Sequence, residues 1–330
     1  MTASGNSTDA ERIEFDSEEL VPDAWLPAAA AGPVWAFNPA LIRAGQGWLM
    51  AYRMILSDQV RRLAMCLLDD RLRVVPGSVF AISDHIRFPA ADRYPSVVHS
   101  WFADPRLYRW DDHLFLYWNS GWHEPTNQQF LHELDPATWS PKGWPRELTC
   151  SDRRPLEKNW VFFQDARRVT YCVYSVTPHR VLRATLDDGE AVRCEEFVRQ
   201  EFALCGYPPC HGGLRGGAPP VFHEGRFWSF VHSIHDGPDG YRYESAAYCF
   251  AGDPPFAPLA EPVATLDLAG QCRSGRRLPQ LNPAVASVEY PCGAAIDGDH
   301  WLVSLGVNDE RCVIARIPHA NVVASMRMLG

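Results

Sequence analysis

The sequence has no run of about 18 apolar residues, so no stretch reads as a membrane-spanning helix and no membrane partner is expected. It has no excess of positive charge either. Thirty-one lysines and arginines against 40 aspartates and glutamates leave a formal charge of −9. That argues against a nucleic-acid partner, because neutralising a phosphate backbone takes a basic face. A few local arginines can still serve a small phosphorylated ligand on an acidic protein. Residues Met1 to Leu20 are polar and acidic and lack the basic-then-apolar layout of a secretory leader, and the Ala28–Ala31 run is too short and too late to supply one. Long helical stripes are scarce, and 27 prolines with 23 glycines would punctuate any long helix. The ten cysteines show no paired spacing. Cys66, Cys172, Cys249 and Cys312 lie inside apolar runs, where cysteine behaves as a small buried hydrophobe, and a reduced, cytoplasmic protein is the expectation.

What the chain does contain is short apolar runs of period two between turn signals. Hydrophobic residues make up 46% and charged residues 22%, an ordinary globular balance for 330 residues. Residues 1–32 read as a polar N-terminal tail with little to bury, and residues 33–330 as a single all-β domain. One pattern recurs five times: a polar or proline-marked opening, a short strand, a turn, and an aromatic-rich second strand. The copies are Asn38–Arg53 around Gly45-Gln46-Gly47, Asp104–Trp118 around Asp111-Asp112, Asn159–Ser175 around Asp165–Arg168, Ala218–Ser233 around His223-Glu224-Gly225, and Pro291–Gly306 around Asp297-Gly298-Asp299. A second, more aliphatic run follows each, as in Leu63–Leu68, Phe130–Leu134, Val181–Leu186, Ala246–Phe250 and Cys312–Ile317. The openings from Asn38 to Pro291 recur at a mean spacing of about 63 residues, enough for four strands each. The expected fold is a five-bladed β-propeller with the site at one mouth of its central channel.

In a propeller the residues just before and within the innermost strands meet around the channel. Asn38, Asp104, Glu157–Asn159, Gly212–Gly217 and Tyr290 are the residues so gathered, and converging polar groups suit a small-molecule site. The simpler alternative is that they only cap strands. Gly212–Gly217 has two glycine pairs around Leu214-Arg215, but neither the strand-then-helix context nor the following Lys-Ser or Lys-Thr of a phosphate-binding loop, so it reads as a rim with Arg215 as an anion contact. Cys205 and Cys210-His211 form a weak metal-like cluster without a second pair, and no metal is expected. Most of the 12 tryptophans suit packing, with Trp35, Trp118, Trp122 and Trp160 the candidates for stacking on a sugar ring.

Asp104-Pro105-Arg106-Leu107 opening the second repeat, Glu157-Lys158-Asn159-Trp160 opening the third, His179-Arg180 after it, and Pro291-Cys292-Gly293 in the fifth together resemble glycoside hydrolase family 130. That family comprises five-bladed propellers, mostly β-mannoside phosphorylases with some hydrolases, and has related β-1,2-mannosyltransferases. The resemblance implies that Asp104 is the general acid of an inverting reaction, passing its proton through a sugar hydroxyl. It implies anion contacts from Arg53, His179, Arg180 and His232, and saccharide contacts from Asn38, Tyr241 and Asp309, with Arg106, Lys158 and Asn159 part of the matched motifs. The partner is then a saccharide or sugar conjugate, with inorganic phosphate or an activated sugar as co-substrate and no cofactor. Ala103 stands where the family has a glutamate before the aspartate.

An inverting hydrolase needs two carboxylates, one acid and one base. Phosphorolysis or transfer from an activated sugar needs one, plus cations, because the nucleophile or leaving group is already anionic. The residues point to phosphorolysis or transfer. Hydrolysis would need a further carboxylate such as Glu157, Glu244 or Glu289 at the channel, and a non-catalytic sugar-binding propeller is the third reading.

Overall fold

Each of the five repeats is a hairpin in the fold. The computed structural model describes residues 10–89, 93–186 and 191–330, and these are mostly β with only short helices. The first hairpin pairs Trp35–Ala44 with Gly47–Ile55, and Arg61–Leu68 continues the meander. The second pairs Ala103–Trp110 with His113–Asn119, followed by Gln129–Leu134 and Arg146–Cys150. The third runs Val161–Gln164, Thr170–Ser175, His179–Leu186 and Ala191–Gln200. The fourth is built on Arg226–Gly237 and Gly240–Ala251, and the fifth on Glu289–Asp297, His300–Val307 and Arg311–Pro318.

Period-two alternation places apolar faces on both sides of these sheets, so adjacent units bury them against one another. Trp48, Met50 and Tyr52 of the first unit pack with Leu302, Cys312 and Ile314 of the fifth. Leu49 and Ala51, on the opposite face, pack with Leu107, Leu116 and Trp118 of the second. Cys66, Cys172, Cys249 and Cys312 are buried within these layers. The contacts pass from unit to unit and return to the start. Trp35–Ala44 packs on both Glu289–Asp297 and Ala103–Trp110, Ala103–Trp110 reaches Val161–Gln164, and Arg226–Gly237 packs on Glu289–Asp297. The outer strands of the second and third units, Arg146–Cys150 and Ala191–Gln200, pair in parallel and fuse the two into one eight-stranded sheet.

The N-terminal segment departs from expectation. From residue 10 onward it is not a tail with little to bury. Glu11–Glu14 pairs antiparallel with Arg311–Pro318 and supplies the outer strand of the fifth unit. Phe15, Leu20, Val21 and Trp25 then enter the first unit's core, and Leu20 O accepts a 2.6 Å bond from the buried Tyr52 hydroxyl. The polar sequence hid this because only every second residue of an edge strand needs to be apolar. Among the described residues no helix is long and apolar enough to cross a membrane.

Candidate active site

The repeated openings share a backbone device. Asn38, Asp104 and Asn159 all hold positive φ, at 55°, 53° and 66°. Asparagine and aspartate tolerate this left-handed region better than other side chains. In the first two units the residue begins a bulge: the register shifts between Phe37 and Ala40 and again between Ala103 and Arg106, across Asn38-Pro39 and Asp104-Pro105. A bulge leaves one residue unpaired and re-aims its side chain. Two glycines make room for these turns. A Cβ on Gly306 would lie 1.9 Å from Asn38 Oδ1, and one on Gly216 would lie 2.1 Å from the carbonyl oxygen of Asn159.

The re-aimed side chains meet in a cavity of about 350 Å³. Asp104 sits in its wall, with Asn38 Nδ2 donating to Oδ1 at 2.9 Å, Asn119 Nδ2 donating to Oδ2 at 3.3 Å, and Arg53 Nη1 4.0 Å from Oδ1. Asn38, Arg53, Lys158, Asn159, His232 and Asp309, six of the residues expected at a site, line the same cavity. Burial alone would raise the Asp104 carboxyl, but the charges of Arg53, Arg106 and Lys158 and the Asn119 bond outweigh it and hold its pKa below the ordinary value. Asp104 is therefore a carboxylate at neutral pH.

Asp309 behaves in the opposite way. Burial raises its pKa, Arg53 pulls it down, and the Asp104 charge pushes it up again, for a net rise. Two carboxylates whose environments drive their affinities for protons apart are the usual arrangement of an acid and a base. The missing carboxylate at Ala103 thus has a counterpart from the last unit, where Asn308 and Asp309 both hold positive φ. Glu157, Glu244 and Glu289 do not supply it, since none lines this cavity. Glu157 is buried and accepts from Trp160 Nε1 and the Tyr174 hydroxyl, Glu289 pairs with Arg273, and Glu244 lies 3.0 Å from His211.

Other expected contacts move elsewhere, for identifiable reasons. Arg106 is 1% exposed and outside the cavity lining. It donates to Gly217 O at 2.7 Å, Pro105 O at 2.8 Å and the Tyr290 hydroxyl at 2.8 Å. The Tyr290 hydroxyl in turn donates to Asn159 Oδ1 at 2.9 Å. Arg106 is a buried clamp behind the site, not a saccharide contact. His179 is fully buried against Tyr248 and Phe250, and burial pushes its pKa down to about 4, so it is neutral and out of reach of an anion. Tyr241 is 46% exposed and outside the lining, and Tyr243 takes its place. Both project from one face of the strand, but a two-residue step carries Tyr241 beyond the rim. His232 does face the cavity, stacked on Tyr243 with ring centroids 5.5 Å apart. Burial and the nearby charges of Lys158, Arg215 and Arg106 keep it neutral, so it offers a hydrogen bond and no charge.

Arg180 and Arg215 line a second cavity, of about 500 Å³, which shares Leu156, Lys158 and Asn159 with the first. Of the four tryptophans considered for stacking, Trp35, Trp118 and Trp160 are buried, and only Trp122, 66% exposed, lines the Asp104 cavity. Asn119 and Tyr243 join Trp122 in the lining, although no motif in the sequence marks either as a contact. The signal for Asn119 was its place at the end of the hairpin strand that faces Asp104. Of the metal-like cluster only His211 has ligand company. Its ring, that of His235 and the Glu244 carboxylate bring ligand atoms within 4.8 Å of one another, without Cys205 or Cys210, and could hold a divalent ion. A second such group is His223, Glu224 and His319. A larger cleft of about 790 Å³ lies under the N-terminal segment, and both of its arginines are paired, Arg277 with Glu14 at 2.6 Å and Arg311 with Glu310 at 2.7 Å.

No family model and no curated protein matches the sequence. Solved structures do match the fold. A β-1,2-mannobiose phosphorylase from Listeria innocua, in complex with β-1,2-mannobiose, superposes with a TM-score of 0.62 at 12% identity, over 95% of this chain and 98% of that one. A glycosyl hydrolase from Bacteroides ovatus gives 0.56 at 13% identity, covering 86% and 83% of the two chains. A member of the GH130 family of mannoside phosphorylases, which contains glycoside hydrolases that target β-1,2 mannosidic linkages in Candida mannan, gives 0.54 at 11% identity over 96% and 95%. The resemblance to glycoside hydrolase family 130 read from the sequence is thus matched by a likeness of fold across nearly the whole chain. At these identities the likeness is one of fold.

Proposed function

We propose that the protein is a carbohydrate-active enzyme that makes or breaks a β-mannoside-type glycosidic bond, with inversion, by phosphorolysis or by transfer from an activated sugar. Asp104 is its proton-transfer group. The five meanders are read as the blades of a five-bladed β-propeller, which the closed circle of contacts between units and the likeness to the solved structures support. The observation that carries the reaction is the setting of Asp104: a half-buried carboxylate held by two asparagines beside Arg53, in a cavity that Lys158 also lines.

The electrostatics give that setting a direction. A carboxylate whose pKa is held down is ionised at neutral pH and can accept a proton from an acceptor hydroxyl as a new bond forms to a donor with an anionic leaving group. By microscopic reversibility it returns that proton when the bond is cleaved by phosphate. An anion bound beside Arg53 offsets the positive charge that depresses Asp104 and raises its proton affinity, so binding of phosphate prepares the acid. Trp122 offers an exposed ring for a sugar to stack on, and Asn38 and Asn159 offer amides for its hydroxyls.

Hydrolysis is the second reading, favoured by one observation: Asp309 is a second carboxylate in the cavity, with the raised pKa that a general acid uses. One assay separates the two. The protein is incubated with β-linked mannosides with and without inorganic phosphate, and with GDP-mannose plus an acceptor. A sugar 1-phosphate formed only with phosphate, or a new glycoside from the nucleotide sugar, supports the first reading. Free mannose formed equally without phosphate supports the second, and no turnover of any mannoside or nucleotide sugar overturns both.

A further inference from the structure

We propose that the cavity adjoining the Asp104 pocket is a second binding site, for a ligand end that carries two phosphate groups. Its charge is unlike that of the molecule. In a chain of net charge −9, five cationic side chains line it: Arg154, Lys158, Arg180, Arg199 and Arg215. Only Arg180 is neutralised, by Glu196 at 2.6 Å with Asp152 at 3.7 Å. The other four have no carboxylate within 4.0 Å among the described residues. The one carboxylate in the lining, Glu157, is turned inward. Its Oε1 accepts from Arg154 N at 2.6 Å and from the Tyr174 hydroxyl at 2.9 Å, and its Oε2 accepts from Trp160 Nε1 at 3.2 Å.

The cations are also ordered. The Tyr174 ring carries two guanidinium groups, with Arg180 Cζ 4.6 Å and Arg154 Cζ 5.9 Å from its centroid. Planar arginine forks match phosphate oxygens, and gathering them without counter-charge leaves a repulsion that a bound anion relieves. Arg154, Arg199 and Arg215, with Lys158 shared between this cavity and Asp104, exceed what one phosphate ester needs, since it carries about 1.5–2 negative charges at neutral pH. A volume of about 500 Å³ also exceeds a single phosphate. Two linked phosphates match both quantities. Because Lys158 and Asn159 belong to both cavities, a diphosphate here places the group attached to it beside Asp104. That placement rests on the reaction proposed above. The charge of the cavity does not.

The test is calorimetric titration of the full chain with inorganic pyrophosphate and, separately, inorganic phosphate. Pyrophosphate should bind about tenfold or more tightly than phosphate, and the double variant Arg154→Ala/Arg199→Ala should weaken it about tenfold or more. Both arginines are exposed, so an unchanged melting temperature verifies the fold. Arg53→Ala should leave pyrophosphate affinity within about twofold, because Arg53 lines only the Asp104 cavity. The proposal is overturned if pyrophosphate binds no more tightly than phosphate, or if the double variant binds it as well as the wild type does. It is equally overturned if the loss follows Arg53→Ala instead. A hexose 1-phosphate that displaces pyrophosphate as well as a nucleoside diphosphate does would overturn the two-phosphate assignment. Turnover that survives Asp104→Asn would defeat the reaction alone, since pyrophosphate binding does not depend on it.

Discussion

Two cavities meet at Lys158 and Asn159, and they are built on opposite electrostatic plans. The Asp104 cavity mixes signs: Asp104 and Asp309 against Arg53, Arg61 and Lys158, with the proton affinities of its carboxylates driven apart. Its neighbour is lined by one sign, with its single carboxylate consumed by its own hydrogen bonds. Mixed and opposed charges move protons, whereas an unpartnered array of one sign binds. The contrast teaches that the anion contacts expected as one set, Arg53, His179, Arg180, Arg215 and His232, do not stay together: Arg53 and His232 line one cavity, Arg180 and Arg215 line the other, and His179 is packed away from both.

If the division is right, the largest effect belongs to Asp104. Asp104→Asn should lower kcat about 10²–10⁴-fold in whichever reaction the assay detects, while the pyrophosphate affinity of the other cavity stays constant. A fall in both would erase the distinction. Next comes Arg106→Ala, which removes three hydrogen bonds behind the Asp104 cavity and leaves the Tyr290 hydroxyl with Asn159 alone. Loss of a buried, fully bonded charge should cost about 3–5 kcal/mol in chemical denaturation, and Arg106→Lys should recover only part of it, because an ammonium cannot reproduce the fork.

A smaller effect, of opposite sign, is expected at Asp309. Its folded pKa is raised, so its contribution to stability is fully present below the unfolded value and is lost as pH rises through the folded one. Asp309→Asn should therefore raise the melting temperature at pH 7 by on the order of 2 °C, and leave it unchanged near pH 3. Asp104, whose pKa is lowered, stabilises above its unfolded value and ceases to as pH falls through its folded value, so Asp104→Asn should lower the melting temperature at pH 7. Equal shifts of one sign in the two variants would remove the acid–base asymmetry. The smallest effect is Trp122→Ala. This exposed ring should change KM for the saccharide about threefold to tenfold, with kcat nearly constant and no change in melting temperature.

Much of this was legible in the chain. The five openings, their turns and their partner strands are written in period-two patterning and in proline and glycine placement, which are local properties, and each became a hairpin. Convergence of Asn38, Asp104, Asn159 and Tyr290 on one cavity followed from that repetition alone. The N-terminal strand was not legible, because Glu11–Glu14 is polar and finds its partner some 300 residues away. Nor was the burial of His179 and Arg106, since a side chain's facing depends on register and on which neighbouring unit covers it. Asp309 could be named as a contact, but its raised proton affinity could not, because that depends on burial and on the distance to another charge.

The sequence alone therefore determined the strands, the turns and the fivefold repetition, which rest on interactions between residues near one another in the chain. It singled out Asp104 as well, through the resemblance that the Asp104-Pro105-Arg106-Leu107 motif carries. Only the tertiary structure decided which cations face Asp104, which face the neighbouring cavity and which are locked away as packing. Charge acts through space, and the spacing between units is set by the burial of their apolar faces, not by order along the chain.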